Sequence, residues 1–249
     1  MKNLLLFVLL VALVAACAPP QAKEENPAAE GFNAAGSDAS AIALADSIMK
    51  AMGGRKAWDD TRFISWNFFG RRNLTWDKHT GRVRVDALRD TIVYLVNVNT
   101  GEGRVRVKGQ EVTEIDSLTK MLKRAKSIWI NDSYWLVMPF KLKDSGVTLK
   151  DLGTDTLMGE NYRILQLTFV DVGDTPNNKY KLYVDPKDNL IKHWAFFSSA
   201  KRDTATFIRP WDNYQMHGGV LLSGNRSDSS GPRDVKVYQT LPDSVFTQF

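Results

Sequence analysis

The stretch Arg82-Val83-Arg84-Val85 alternates charge and branched hydrocarbon at every position, and this two-residue period recurs along most of the chain. Only an extended strand sends successive side chains to opposite faces, so each such segment has one wet face and one dry face. Residues 63–69 repeat the pattern with Ile64, Trp66 and Phe68 on one side. The run Asp77-Lys78-His79-Thr80-Gly81 has the chemistry of a turn leading into the strand of Val83 and Val85. By the same criteria strands are predicted at 91–97, 104–108, 162–170, 179–184, 190–197, 204–214, 219–226 and 235–239. Tyr183-Val184-Asp185-Pro186 and the following Lys187-Asp188-Asn189 make a hairpin between two of them.

Two segments have a helical period instead. In residues 38–52, Ile42, Ala45, Ile48, Met49 and Met52 recur at three- and four-residue spacing, with Ser37 or Asp38 to cap the start and Gly53-Gly54 to close the end. In residues 116–129, Leu118, Met121, Leu122, Ala125, Ile128 and Trp129 form an apolar stripe opposite Lys120, Lys123, Arg124 and Lys126. That helix runs on through 134–138 to a stop at Pro139. Many amphipathic strands in hairpin succession, interrupted by a mid-chain helix, predict a mainly β, α+β fold. The expected form is a highly curved antiparallel sheet, an incomplete β-barrel, covered by a helical lid. Such an architecture encloses a dry cavity. Most of the aromatic residues fill a core, and Trp66, Phe68, Trp129 and Trp135 are the candidates to line the cavity.

The N-terminus carries a different message. Met1-Lys2-Asn3 is followed by an almost purely aliphatic run from Leu4 to Leu13, too short to cross a bilayer as a helix but laid out as a secretory signal. Val14-Ala15-Ala16-Cys17 resembles the lipobox of bacterial lipoproteins, and Cys17 is the only cysteine. Residues 1–17 therefore read as a lipoprotein signal peptide cleaved before Cys17, which becomes the lipid attachment site. Several acyl tails at about 0.8 kcal/mol per buried methylene make a stable anchor. Ala18 is not the aspartate associated with inner-membrane retention, which favours the outer membrane of the cell envelope; Lys23-Glu24-Glu25 suits either a polar tether or a surface-export signal, so periplasmic and surface sides stay open. Residues 18–37, rich in Ala, Pro, Glu, Asn and Gly, read as a flexible tether, and 38–249 as one domain.

One unit of the formal net charge of +5 belongs to Lys2 and leaves with the signal. The remainder is interleaved with acids, and the basic cluster 120–126 reads as a solvated helix face or a contact for anionic lipid headgroups. An exported, mildly basic chain of this kind is not expected to bind nucleic acid. His79, His193 and His217 lack metal-ligand spacing, and Asp171-Val172-Gly173-Asp174 lacks the spacing of a calcium loop, so neither a metal nor a cofactor is predicted. Gly101-Glu102-Gly103 and Gly218-Gly219 suit hairpins better than phosphate loops, and no nucleophile motif is evident. The chain is not expected to be an enzyme.

Four stretches together resemble the LolA/LolB-like lipoprotein-localisation superfamily, in particular the Bacteroidetes-type outer-membrane lipoproteins of that fold. They are 45–54 leading through Trp58 into the first strand, the insertion 129–142, Tyr183-Val184-Asp185-Pro186, and Trp211-Asp212-Asn213-Tyr214 before Gly218-Gly219. The resemblance implies a half-barrel with a helical lid that holds acyl chains or another apolar molecule; it carries over no site residue. Two functions follow: carriage of a lipid or lipid-like ligand, with a role in lipid or lipoprotein transport, or a structural lipoprotein with a filled core that binds an envelope protein. An envelope hydrolase is a third. A cavity of several hundred cubic ångströms would separate the first from the second.

Overall fold

The computed structural model describes residues 25–170, 172–227 and 230–249; the signal segment, Cys17, Lys23 and Glu24 lie outside them. Helices α1 (Ala39–Ala51) and α2 (Gly54–Asp60) come first. A meander follows: β1 (Phe63–Phe68), β2 (Arg72–Asp77), β3 (Arg82–Ala87), β4 (Ile92–Asn97), β5 (Gly103–Val107) and β6 (Gln110–Glu111). The long helix α3 (Ile115–Val137) runs into a 3-10 turn at Met138–Lys141. Then come β7 (Val147–Leu157), β8 (Glu160–Phe169), β9 (Lys179–Val184), β10 (Ile191–Phe197) and β11 (Phe207–Pro210). The chain ends with β12 (Asp212–His217), β13 (Val220–Asn225), β14 (Pro232–Tyr238) and α4 (Ser244–Thr247).

The strands form three open antiparallel sheets, mainly β with helices as the alternation predicts. The first has the order β14-β1-β2-β3-β4-β5-β6, the second β11-β10-β9-β8-β7, and β12 pairs with β13 alone. The dry faces are those read from the sequence: Ile64, Trp66 and Phe68 are buried on β1, and Val83 and Val85 on β3. Their neighbours Arg82 and Arg84 stay half-exposed. Helix α3 packs across β3, β4 and β5 and reaches β13, while α1 lies on β7 and the 3-10 turn. One continuous apolar core joins α1, α2, α3 and the inner faces of the sheets. A small second cluster of Tyr162, Ile164, Tyr183, Ala195 and Phe197 covers the other face of the five-stranded sheet.

Several details differ from expectation. Asp38 does not cap α1 with its side chain; its carboxylate accepts instead from Lys150 Nζ at 2.9 Å and the Asp151 amide at 3.0 Å, tying the helix start to β7. Residues 25–37, expected within the tether, are bound to the domain: the amides of Ala29 and Asn33 donate to the carbonyls of Lys143 at 2.9 Å and Val147 at 3.0 Å. Ordered structure therefore begins by residue 25 and not at 38. Gly53 does close α1 as expected, with a second short helix, α2, starting at once at Gly54; Gly53 has φ +110°, and a Cβ there would lie 2.2 Å from the Gly219 carbonyl oxygen. The single strand expected at 204–214 is two, broken at Trp211, where the chain leaves the second sheet for the β12–β13 hairpin. Strands β2 and β7 were not among those expected.

Candidate functional site

Along about two and a half turns of α3, from Ser127 to Trp135, the helix forms one wall of a cavity of about 780 Å³. The opposite wall comes from the second sheet through Phe169, Tyr180 and Trp194, and Val147 and Val172 also line the space. The volume lies in the range of small-molecule sites. Rings meet edge-on or tilted behind the walls: Trp135 and Trp194 at 4.9 Å between centroids, Tyr180 and Trp194 at 5.2 Å, Phe169 and Tyr180 at 5.3 Å, Tyr134 and Tyr180 at 5.6 Å. Offset and edge contacts of this kind set ring positions more firmly than area burial alone.

Of the four aromatic candidates, Trp129 and Trp135 line the cavity and Trp66 and Phe68 do not. Trp66 and Phe68 on β1 are buried in the main apolar core and are spent on core packing. Phe68 instead buttresses the site from behind, with its ring 6.4 Å from that of Trp135. Tyr134, Phe169, Tyr180 and Trp194 are lining residues that the sequence did not single out for this role.

Polar groups sit at the edges. Asp132 is fully buried on α3, and Arg72 at the start of β2 holds it with two hydrogen bonds of 2.7 and 2.9 Å. Burial pushes the Asp132 carboxyl up, against the hydrogen bonds from Arg72 and Asn131 that hold it down. Burial likewise raises the hydroxyls of Tyr134 and Tyr180, which stay protonated at neutral pH. At the rim, Ser127 donates to Asp174, and Lys141 pairs with Asp144. The site thus offers a large aromatic surface with neutral hydroxyls, and its one buried carboxylate is already matched by a guanidinium.

Behind the cavity a second buried cation locks α3 in place. Arg226, just past β13, donates from Nη2 to the Trp135 carbonyl at 2.5 Å and from Nη1 to the Ser223 hydroxyl at 2.9 Å. Its guanidinium lies 3.4 Å from the Trp211 ring centroid. Burial lowers its pKa to about 9, so it remains charged at neutral pH. This contact explains the break at Trp211: the indole leaves the sheet to stack against the arginine that caps the last turn of α3.

The isolated histidines sit in separate places. His79 Nε2 meets the Asp59 carbonyl at 2.8 Å, while burial lowers His193 on β10 and His217 at the end of β12. Among the described residues no group of three or more His, Cys, Asp or Glu is placed to hold a metal ion, and no helix is long and apolar enough to cross a membrane. Asp171 lies outside the described residues.

Residues 83–226 match a family described as one of unknown function, DUF6503. No protein of curated function matches the sequence. The fold is similar to that of a DUF1329 family protein from Desulfovibrio piger, 12% identical with a TM-score of 0.44, over 83% of this chain and 96% of that one. It is also similar to a LolA superfamily protein from Nitrosomonas europaea, 13% identical with a TM-score of 0.41, over 82% of this chain and 97% of that one.

Proposed function

We propose that this chain, which belongs to the DUF6503 family, is a lipoprotein of the cell envelope that holds a lipid or other apolar ligand between α3 and the five-stranded sheet. The observation that carries the reading is the cavity of about 780 Å³ with walls of Trp129, Trp135, Phe169, Tyr180 and Trp194. A domain that only presents an outer face needs no concavity of that volume, and a mostly aromatic concave site of this size is the kind in which apolar ligands bind. The signal-like N-terminus and Cys17 supply the location: a chain lipidated at Cys17 and tethered to a membrane, with the outer membrane favoured by Ala18. The role is that of a carrier or receptor in lipid or lipoprotein transport, and no catalytic step is assigned to it.

Native mass spectrometry of residues 25–249, purified without detergent and then extracted with organic solvent, tests this directly. A co-purifying apolar compound at near-stoichiometric amount is expected. Ile130→Glu places a charge at a half-buried lining position and should lower ligand content about tenfold, the equivalent of about 1.4 kcal/mol, without loss of far-ultraviolet circular dichroism. A mass without ligand that stays so after incubation with phospholipid vesicles would overturn the proposal.

A further inference from the structure

Next to the apolar cavity lies a smaller recess of about 130 Å³, and its lining is of the opposite kind. Arg71 and Arg72 reach it from the start of β2, Arg89 and Asp90 from the turn between β3 and β4, and Arg124 from α3. Four arginines therefore line this space with one acidic residue, Asp90; Arg71, Arg89 and Arg124 are exposed, and Asp132 holds Arg72 from the cavity side. Among the described residues, the side chains of Arg71, Arg89 and Arg124 have no hydrogen bond or ion pair. Elsewhere some arginines are matched, as Arg62 and Arg82 are by Asp77, Arg84 by Asp86 and Arg104 by Glu111, and others such as Arg202 and Arg233 are not; what sets the recess apart is that three unmatched arginines line one small space. Like charges held together without partners repel, and the arrangement becomes favourable when an anion enters.

The two spaces adjoin. Arg72, Arg124 and Ile128 line both, so an amphiphile laid across these residues would have a charged end beside the arginines and an apolar part between α3 and the second sheet. Guanidinium groups suit oxyanions with several acceptor oxygens, since each fork presents paired donors, and a phosphate matches that geometry better than a single hydroxyl. Arg72 is held in place by its two bonds to Asp132, which fixes one edge of the recess before any ligand arrives.

We infer that the recess takes the phosphate group of an amphiphile whose apolar part fills the neighbouring cavity; the inference rests on the proposed apolar-ligand reading and names the class of its ligand. The ligand class is thus an anionic lipid, and not a neutral one. The test uses the full chain extracted in an uncharged detergent and two probes with identical fluorescent acyl chains, a phosphatidic acid and a diacylglycerol. Retention of the phosphatidic acid should exceed that of the diacylglycerol about tenfold, and the double variant Arg71→Gln/Arg89→Gln should bring the ratio to within about twofold. Both arginines line only the small recess, so the diacylglycerol arm reports on the cavity separately. Arg71→Lys/Arg89→Lys, which keeps the charge, should restore part of the preference, and a variant pair that behaves alike in both substitutions would refute the inference. Equal retention of the two lipids by the unaltered chain overturns the inference and leaves the cavity reading standing. Retention of neither overturns both. Inorganic phosphate that binds as tightly as the phosphatidic acid would identify a site for free oxyanions and overturn the link to the cavity.

Discussion

Removing Arg72 leaves a carboxylate buried in the wall of the cavity with no cation to match it. The Asp132 side chain has no exposure and that of Arg72 has 23%, so the pair is shielded from solvent mainly on the acidic side. Breaking a buried pair from one side costs about 3–5 kcal/mol, because the remaining charge keeps its desolvation penalty and loses its attraction. Arg72→Met should therefore lower unfolding free energy by about 3 kcal/mol at about pH 7, the lower end being set by the partial exposure of the arginine. The penalty has a sign in pH. A carboxyl whose folded value lies above its unfolded one adds stability at low pH and gives it up as the pH rises through the folded value. Burial already raises Asp132 in the intact pair, and loss of Arg72 raises it further, so the deficit of the variant relative to the parent should shrink on acidification from about pH 7 to about pH 5. Asp132→Leu combined with Arg72→Met removes both charges and should recover most of the loss. Urea denaturation followed by tryptophan fluorescence measures all three. A deficit for Arg72→Met below about 1 kcal/mol, or one that does not shrink with acid, would refute the view that this pair is a desolvated contact.

Two further substitutions probe the frame around the site. Burial alone would raise the Asp77 carboxyl, but hydrogen bonds from Arg62, Thr80 and Arg82 outweigh it and hold the value at about 2, below the ordinary 3.8. Its contribution is present above 3.8 and is lost as the pH falls through about 2, so Asp77→Asn should remove about 2 kcal/mol at neutral pH and flatten the acid limb of the stability curve; an unchanged limb in acid titration would count against it. Gly53→Ala should cost at least about 2 kcal/mol, from positive φ and collision with the Gly219 carbonyl together, whereas Gly54→Ala, at φ +86° with open space around its Cβ position, should cost about 1 kcal/mol; equal melting midpoints for the two would refute the collision.

The fold was legible wherever burial imposed a period. Val83 and Val85, Ile64, Trp66 and Phe68, and the apolar stripe of α3 each have one face against the core, and there the sequence alternates with the element. Strand β7 shows the reverse. Val147 and Leu149 are buried at its start, but the chain then runs exposed through Thr156, so no hydrophobic alternation marks a strand that main-chain pairing with β8 holds in place. Helix α2 has seven residues and only Trp58 is buried, too short a span for a helical period to register. The break at Trp211 was marked by Pro210 before it and Asp212-Asn213 after it, types that strands disfavour; the contact that holds the indole away from the sheet is with Arg226, fifteen residues on in sequence but stacked on its ring in space.

The site was less legible for a related reason. Trp66 and Phe68 stand on the same strand face, and Trp129 and Trp135 lie six residues apart on α3; nothing in residue type separates those that close a core from those that border a void. The separation is made by where α3 crosses the sheets, and its anchors there are polar: Arg72 to Asp132 in mid-helix and Arg226 to the Trp135 carbonyl in the last turn. The arginine recess follows the same logic. Arg124 belongs to the basic stretch 120–126, which in sequence is one charged helix face, yet only Arg124 of that stretch meets Arg71 and Arg89, brought by two separate hairpin ends. With Ile128 one turn further along the helix, it joins a charged space to an apolar one, and that junction is the feature by which an anionic amphiphile and a neutral lipid can be told apart.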